Sequence, residues 1–527
     1  MSALGHIVLV GMPGSGKSTV APLLAARLGR EAVDVDTEVE RHLQMSAQRA
    51  FDELGEQRFR AEERAAMERA LGSQRPLVIA GGGGMVAQPG AVEILARHAT
   101  VVFLDASDAV LLDHLGPAAV DRPLLAGAPA DALHHLRVAR AHAHGHAQLR
   151  VAVDGLCPGD VVERIAGAVS GAVRVATPHP YLVRVAPGLR EQVGEHLPVS
   201  ARRVVLIADQ AVAATAEVIA TALRGDRVTV TVVSLPGGEQ AKQWAVAGHL
   251  LERCSDAGLD RDDCIIAVGG GSIGDVAGLV AATYLRGVAW LGVPTTLLAM
   301  VDSAVGGKTA VNLRRGKNLA GVFWQPRAVL CDTDVLDTLS DRSFRSAFAE
   351  VVKSSMVGGG GLAELVDDRL TAALARDPKA LAELVRGCCA LKAEVVAGDE
   401  RESGRRAILN YGHTVGHAVE ALTGLGSGLD HGEAVAFGMR VAGELSVAQS
   451  GCPPSVIEHQ DDLLDACTLT VRPALAAADI VAELGSDKKA RAGVPRWVLL
   501  RDRGEPVTGI VVEGEAVGAA LSEALVR

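Results

Sequence analysis

A chain of 527 residues is too long for one ordinary domain, so two or three are expected. Hydrophobic residues make up 49% and aromatics only 3%, so the cores must be built from Ala, Val and Leu. A net charge of -11 argues against general nucleic-acid or anionic-membrane binding, though it leaves room for local basic pockets. The eight Cys include no C-x-x-C pair and read as reduced thiols of a cytosolic protein. No apolar run approaches a membrane span, and the His6–Val10 run is too short and too Gly-bound for a signal peptide.

His6–Val10 reads as a buried strand feeding Gly11-Met-Pro-Gly-Ser-Gly-Lys17-Ser18-Thr19, a full G-x-x-x-x-G-K-[ST] loop. Backbone N–H groups of Gly14, Ser15 and Gly16, with the helix that follows, favour a polyphosphate. Lys17 would reach the terminal phosphates and Ser18 would hold Mg²⁺, with Thr19 beside it. Strands are expected at Ala32–Asp36, Leu77–Ala80 and Val101–Leu104, with helix over Ser46–Leu71, giving a small parallel α/β sheet. Asp34 could hold Mg²⁺ through water, and Asp36 could accept a proton from a substrate hydroxyl or simply cap a helix. Gly116–Pro129 reads as a mobile lid delivering Arg122 to the phosphates.

The P-loop, the D-V-D strand end, Q-x-F-R at Arg60, the Gly81–Gly84 run, R-P-L-L in the lid and R-A at Arg140 together resemble shikimate kinase, over roughly Ala3–Ala168. That resemblance implies shikimate bound by Asp36, Arg60, Gly82 and Arg140, its carboxylate meeting the two guanidiniums, and ATP met by Arg122. One stretch departs from the family. After Arg140, where a Pro and a Tyr are common, this chain has Ala-His-Ala-His-Gly-His. His142, His144 and His146 could pass for a metal site, but an exposed helix end is expected.

The Pro- and Gly-marked stretch Ala168–Pro180 separates two α/β patterns, with Val173–Val175 already the first strand of the next unit. Further strands are expected at Val204–Ala208, Val228–Val233, Cys264–Val268 and Ala289–Val293, and helices at Ala211–Leu223, Ala245–Ala257 and Asp275–Ala282. Asp209 ends a strand, where an acid can bind a ribose hydroxyl, and Gly269–Asp275 has the spacing of a pyrophosphate turn. Lys308, Lys317, Asn318 and Asp302, among glycines and apolar residues, suit an anionic, hydroxylated ligand. From Asp334 the periodicity turns helical, and Pro495–Leu500 with Val507–Val512 suggests a terminal hairpin. The fold class is therefore α/β, as a P-loop unit (1–170), a nucleotide-binding α/β unit (171–333) and a mainly helical metal-binding unit (334–527).

His413 and His417 are four apart, so a helix would place both on one face, and His431 follows a Gly-rich loop. Spacing alone favours the 413/417 pair as metal ligands, with a carboxylate from the Glu350 helix. The motifs G-G-G-S-I-G-D, P-T-T-L-L-A-M-V-D-S, G-G-K-T, G-K-N-L, A-E-V-V-K, N-Y-G-H-T-V-G-H-A-V-E, H-G-E and D-K-K occur in order. Together they resemble 3-dehydroquinate synthase over roughly Val173–Arg527.

That resemblance overrules the spacing argument: it implies Zn²⁺ (or Co²⁺) held by Glu350, His413 and His431, with His417 on the substrate side. It implies NAD⁺ against Asp209, Glu239, Lys242, Gly271, Ser272, Ile273, Gly274, Asp275, Thr295, Thr296, Lys308 and Lys317. It also implies the keto-acid phosphate DAHP against Asp302, Lys308, Asn318, Lys353, Lys392, Arg406, Asn410 and Lys489. Lys17, Asp36, Arg122, His417, Lys308 and Lys353 are the expected catalytic groups, and a homodimer through the C-terminal half is expected. The implied reaction gives 3-dehydroquinate with loss of phosphate, NAD⁺ being regenerated within each turnover.

Overall fold

Short apolar runs pair into the first of two large sheets in the computed structural model, which describes residues 4–82, 84–88, 90–116, 125, 128–226, 228–424, 428–486 and 495–526. β1 (His6–Gly11), β2 (Glu31–Asp34), β3 (Leu77–Ala80), β4 (Ala99–Asp105) and β5 (Leu149–Ala152) form a parallel sheet in the order β2-β3-β1-β4-β5. β1 is buried along its whole length, as its unbroken apolar run requires. The loops after β1, β2 and β3 therefore open on one edge, where the order doubles back and a ligand can enter.

Two details differ from the sequence reading. β2 ends at Asp34, whose carboxylate caps the Val35–Leu43 helix by accepting from the N–H groups of Asp36 and Thr37. Asp36 thus lies on the first helical turn, and Asp34 is the cap. The helical stretch near 46–71 is two helices, Ala47–Leu54 and Glu56–Leu71, broken at Gly55 where φ is 80°.

The second sheet runs β6 (Val173–Val175), β7 (Tyr181–Ala186), β8 (Arg203–Asp209), β9 (Thr229–Leu235), β10 (Cys264–Gly269), β11 (Ala289–Pro294) and, after an intervening hairpin, β14 (Ala328–Asp332). Its order is β6-β7-β14-β11-β10-β8-β9, parallel except that β6 lies antiparallel to β7. The hairpin is β12 (Lys308–Leu313) with β13 (Gly316–Phe323), antiparallel. Sequence reading assigned no strand to this stretch. The structure makes it a ribbon of two strands, and β13 lacks an apolar/polar alternation because Leu319, Val322 and Phe323 on it are exposed.

One half of this sheet packs on the helical C-terminal part, where Phe344, Phe348, Val352 and Phe437 share a core with Val183, Val329 and Cys331. The terminal hairpin is present as β15 (Trp497–Leu500) and β16 (Pro506–Ile510). Among the described residues, no helix is long and apolar enough to cross a membrane.

Candidate active sites

In the first sheet the P-loop bends through Gly14 and Gly16, at φ of 86° and 88°, values that a side-chain-bearing residue rarely adopts. Lys17 Nζ folds back over the loop and donates to the carbonyls of Gly11 and Met12, both at 3.1 Å. Ser15 Oγ is buried without a hydrogen-bond partner, and Ser18 and Thr19 are exposed at the start of the helix.

Arg60 meets the same mouth from the Glu56–Leu71 helix, and Arg140 comes from the Pro129–His144 helix. A Cβ built on Gly82 would lie 2.2 Å from Glu63 Oε1 and 2.9 Å from Asp36 Oδ1, and one on Gly84 would lie 2.4 Å from Arg60 Nη1. Asp36, Arg60 and Gly82 therefore converge, and the absence of side chains at the two glycines makes the space. Arg140 is buried beside Arg60 and Glu63. Glu63, which sequence reading missed, is buried and bonds Arg60 Nη1 at 2.6 Å. Burial raises its pKa, with the Arg60 charge opposing. Its signal was its place three residues after Arg60 on one helix face. Arg122 lies outside the described residues.

His144 contradicts the expected exposed helix end. It is buried and stacked on Phe103 with ring centroids 4.5 Å apart, and burial lowers its pKa to about 3. Among the described residues no metal-type cluster includes it.

The larger site lies where the second sheet meets the helices. The His413–Thr423 helix crosses the His431–Ser450 helix at glycines: a Cβ on Gly438 would lie 2.0 Å from the carbonyl oxygen of Gly412. That close approach sets His413 and His431, each the first residue of its helix, with ring centroids 5.5 Å apart. Glu350 Oε1, from the buried Phe348–Gly358 helix, lies 3.5 Å from His413 Nε2 and 3.7 Å from His431 Nε2. The ligand atoms of these three residues lie within 4.8 Å of one another, and they are the one such group among the described residues.

The other ring nitrogens are engaged from behind. His413 Nδ1 faces the carbonyl of Tyr411 at 3.2 Å, and His431 Nδ1 faces Glu420 Oε2 at 3.4 Å. Backing contacts of this kind fix the ring and leave Nε2 for the centre. Burial, with the Lys353 charge, holds the His413 pKa well below its ordinary value. Burial would lower that of His431 too, yet the Glu350 and Glu420 carboxylates on either side raise it to about 10. His417 sits edge-on to His413, with ring centroids 5.3 Å apart, and lies outside the three-residue group. The geometry groups His413 with partners from two other helices and not with His417.

Cations expected at a substrate converge around this group, the lysines each paired with an acid. Lys353 Nζ pairs with Glu350 Oε2, and Lys392 Nζ with Asp302, whose main-chain carbonyl it also meets at 2.5 Å. Burial would raise the Asp302 pKa, but Lys392 and Lys353 hold it well below the carboxylate range. Lys308 pairs with Glu402, which also accepts from Asn410 Nδ2 at 3.0 Å. Sequence reading assigned no site residue to 399–403. Glu402 has a φ of 55°, a backbone state costly for a non-glycine residue and characteristic of functional loops. Arg406 is buried, donating to the carbonyls of Glu400 at 2.6 Å and Gly306 at 3.1 Å.

The glycine turn follows β10. A cleft is lined by Gly270, Gly271, Asp275, Pro294, Ser303 and Lys308. The helix starts at Gly271, earlier than the periodicity indicated, so Gly271–Asp275, with Ser272, Ile273 and Gly274, form its first turn. A Cβ on Gly271 would lie 2.6 Å from Ser303 Oγ, itself buried without a hydrogen-bond partner. Asp209 ends β8 beside Gly237, and Thr295 N bonds the carbonyl of Gly269 at 2.9 Å, with Thr296 next to it. Glu239 pairs with Asn312, and Lys242 with both Asp275 and Asn318. Asn318, expected at the keto-acid phosphate, therefore stands on the glycine-turn side. Lys317, expected there, reaches 3.4 Å from Glu420 on the histidine side. Lys489 lies outside the described residues.

Residues 13–169 match the family model for shikimate kinase, and residues 232–346 and 347–490 match those for the N-terminal and C-terminal parts of 3-dehydroquinate synthase. A 3-dehydroquinate synthase of Acidithiobacillus ferrooxidans is 46% identical over 301 residues, which are 57% of this chain and 81% of that one. One of Caulobacter vibrioides is 42% identical over 353 residues, 65% of this chain and 95% of that one. A solved 2-deoxy-scyllo-inosose synthase, complexed with carbaglucose-6-phosphate, NAD⁺ and Co²⁺, superposes with a TM-score of 0.62 at 28% identity, over 67% of this chain and 99% of its own. The chain belongs to the 3-dehydroquinate synthase family and carries a shikimate kinase unit fused ahead of it.

Proposed function

We propose that the chain is a bifunctional enzyme of the shikimate pathway. It phosphorylates shikimate from ATP in residues 1–170, and converts DAHP to 3-dehydroquinate with loss of phosphate in residues 171–333 and 334–527. The convergence of Glu350, His413 and His431 carries the reading of the larger part, with Asp302 acting on His413 and the next residue, Ser303, packed on the Gly271 turn.

The donor set fits a divalent ion. Ligand bonds of about 2.1 Å in a tetrahedron put donor atoms roughly 3.4 Å apart, close to the 3.5 and 3.7 Å found here. Glu350 Oε1 is buried with no hydrogen bond, as an oxygen reserved for an ion would be. When bound there, Zn²⁺ or Co²⁺ would polarise a substrate hydroxyl or carbonyl. The Gly271 cradle and the unpartnered Ser303 Oγ fit the pyrophosphate of NAD⁺, with Asp209 toward a ribose and Glu239, Lys242, Thr295 and Thr296 around it. NAD⁺ would supply a reversible hydride step.

The chain's own groups do the rest. Lys308, Lys353, Lys392, Arg406 and Asn410 receive the carboxylate, phosphate and hydroxyls of DAHP, Lys308 exchanging Glu402 for substrate oxygens. Asp302 holds Lys392 in place. His417, beside His413 but outside the ligand group, moves protons.

In the kinase unit the loop N–H groups, Lys17 and the unpartnered Ser15 Oγ hold the ATP phosphates, and Ser18 with Asp34 holds Mg²⁺. Arg60 and Arg140 take the shikimate carboxylate and Asp36 takes the hydroxyl proton, with Arg122, outside the described residues, as the contact to ATP that the family resemblance implies. The free thiols, seven of eight buried, support a cytosolic placement. Family resemblance supports a homodimer through the C-terminal half, which light scattering tests.

The deciding experiment combines metal analysis with phosphate release from DAHP and a coupled ATP/shikimate assay on the full chain. Expected are one tightly held divalent ion, phosphate without net NADH, and ATP consumption dependent on shikimate. Net NADH, or no turnover of DAHP, overturns the synthase reading. ATP consumption independent of shikimate overturns the kinase reading.

A further inference from the structure

The synthase half grips the kinase unit at Gly145–Gln148, where the stretch that departs from the family ends. Residues 145–148 follow the Pro129–His144 helix, and the N–H groups of 145–147 close its last carbonyls: Gly145 N on Ala141 O, His146 N on Ala143 O and Ala147 N on His144 O. All four carbonyls of 145–148 are engaged. Arg327, which enters β14, donates Nη1 to Gly145 O and Nη2 to Ala147 O, the latter at 2.6 Å. Gln148 Nε2 takes His146 O at 3.2 Å, and His196 Nδ1 takes Gln148 O at 3.0 Å.

The gripping residues are themselves braced. Arg327 N bonds Trp290 O at 2.8 Å in the second sheet, and its Nε donates to His196 O at 2.7 Å. His196 is fully buried, with Nε2 3.2 Å from Arg184 Nη1. An imidazole accepting at Nε2 carries its proton on Nδ1, the atom that faces Gln148 O. On the kinase side His144 stacks on Phe103 of β4, and Ala147 and Gln148 are buried. A cation at a helix C-terminus is favourable, and the planar guanidinium offers three fixed N–H directions, to Gly145 O, Ala147 O and His196 O, a fork that a lysine ammonium lacks.

The same helix carries Arg140, five residues before Gly145 and so roughly 8 Å along its axis. A second anchor lies elsewhere: Arg174 donates to Ala96 O, in the last turn of the Ala91–His98 helix, which bears no shikimate contact.

We propose that the synthase half completes the shikimate site of the kinase half, Arg327 being the positioning residue that fixes the end of the Arg140 helix through the carbonyls of its cap, Gly145, and of Ala147 just after it. The inference rests on the reading of Arg140 as a contact of the shikimate carboxylate.

The test uses the full chain with Arg327→Met, Arg327→Lys and Arg174→Met. The measurements are KM and kcat for shikimate, KM for ATP, and phosphate release from DAHP. Arg327→Met should raise the shikimate KM about tenfold, since small misplacements of a binding group are costly, with the ATP KM changed less than about twofold. Arg327→Lys should not restore it, and Arg174→Met should leave it within about twofold of the unmodified chain. Phosphate release should persist in all three, showing folded protein. An unchanged shikimate KM in Arg327→Met overturns the inference, as does an equal rise in Arg174→Met, which would mean general loosening of the junction. Should Arg327→Met fail to fold, Arg327→Lys carries the same test: a raised KM supports the inference and an unchanged one overturns it. An unmodified chain that phosphorylates no shikimate sinks the kinase reading, and this inference with it. An active chain whose Arg327 variants keep the shikimate KM sinks this inference alone.

Discussion

Glu350 Oε1 stands 3.5 Å from His413 Nε2, although 62 residues separate them in the chain. His431 completes the group from a third helix, while His417, one turn from His413, is left out. The two histidines should therefore fail differently. His431→Ala should lose both the metal and DAHP turnover, and His417→Ala should keep the metal and lose turnover. Glu420→Gln, which removes the carboxylate behind His431, should weaken metal affinity by about 10–100-fold. Metal content by plasma emission, read beside phosphate release, checks all three. Full metal in the His431 variant would move the ligand assignment.

The helix crossing at Gly438 should be equally exposed to change. A methyl there meets the Gly412 carbonyl, which is backbone and cannot swing aside. Gly438→Ala should destabilise the chain by about 1–3 kcal/mol through overpacking. It should also lower metal content, because His413 follows Gly412 directly. Urea unfolding and metal analysis together report the two effects.

The two activities should separate by mutation. Asp36→Asn keeps the size of the side chain near Gly82 and removes its basicity, so shikimate phosphorylation should fall about 10²–10⁴-fold. Phosphate release from DAHP should be unaffected, since the site around Glu350 shares no residue with the one around Asp36. Equal loss of both activities would indicate a folding defect.

Acid should reveal the anchor of the Arg406 loop. Asp399 accepts backbone N–H bonds from Arg406, Ser403 and Gly404 at 2.9, 2.8 and 2.8 Å, which lower its pKa from 3.8 to about 2. The folded chain thus holds this proton less readily than the unfolded one. The stabilisation is fully present above about pH 4 and is lost as pH falls through about 2. Asp399→Asn should melt at a lower temperature than the unmodified chain at neutral pH. That gap should narrow steadily below about pH 4. Thermal melts across the range would show it, and a constant gap would contradict the role given to the ionised carboxylate.

The P-loop, the glycine turn at Gly271 and most strands of both sheets were legible in the sequence. Each is a local pattern, set by apolar runs and by glycines where the backbone must bend toward a ligand. The choice of His431 over His417 was not legible from spacing, because helical periodicity relates residues on one helix and this site is assembled from three. Glu63 and Glu402 were missed for a related reason: a carboxylate on a helix or in a turn is ordinary until folding places a guanidinium or ammonium against it. Nor does anything local to Arg327 mark it as the residue that takes Gly145 and Ala147. Sequence determined the parts and the chemistry each can perform. Tertiary packing decided which parts face one another, because contacts across 60 to 180 residues depend on how sheets and helices stack and not on any repeat along the chain.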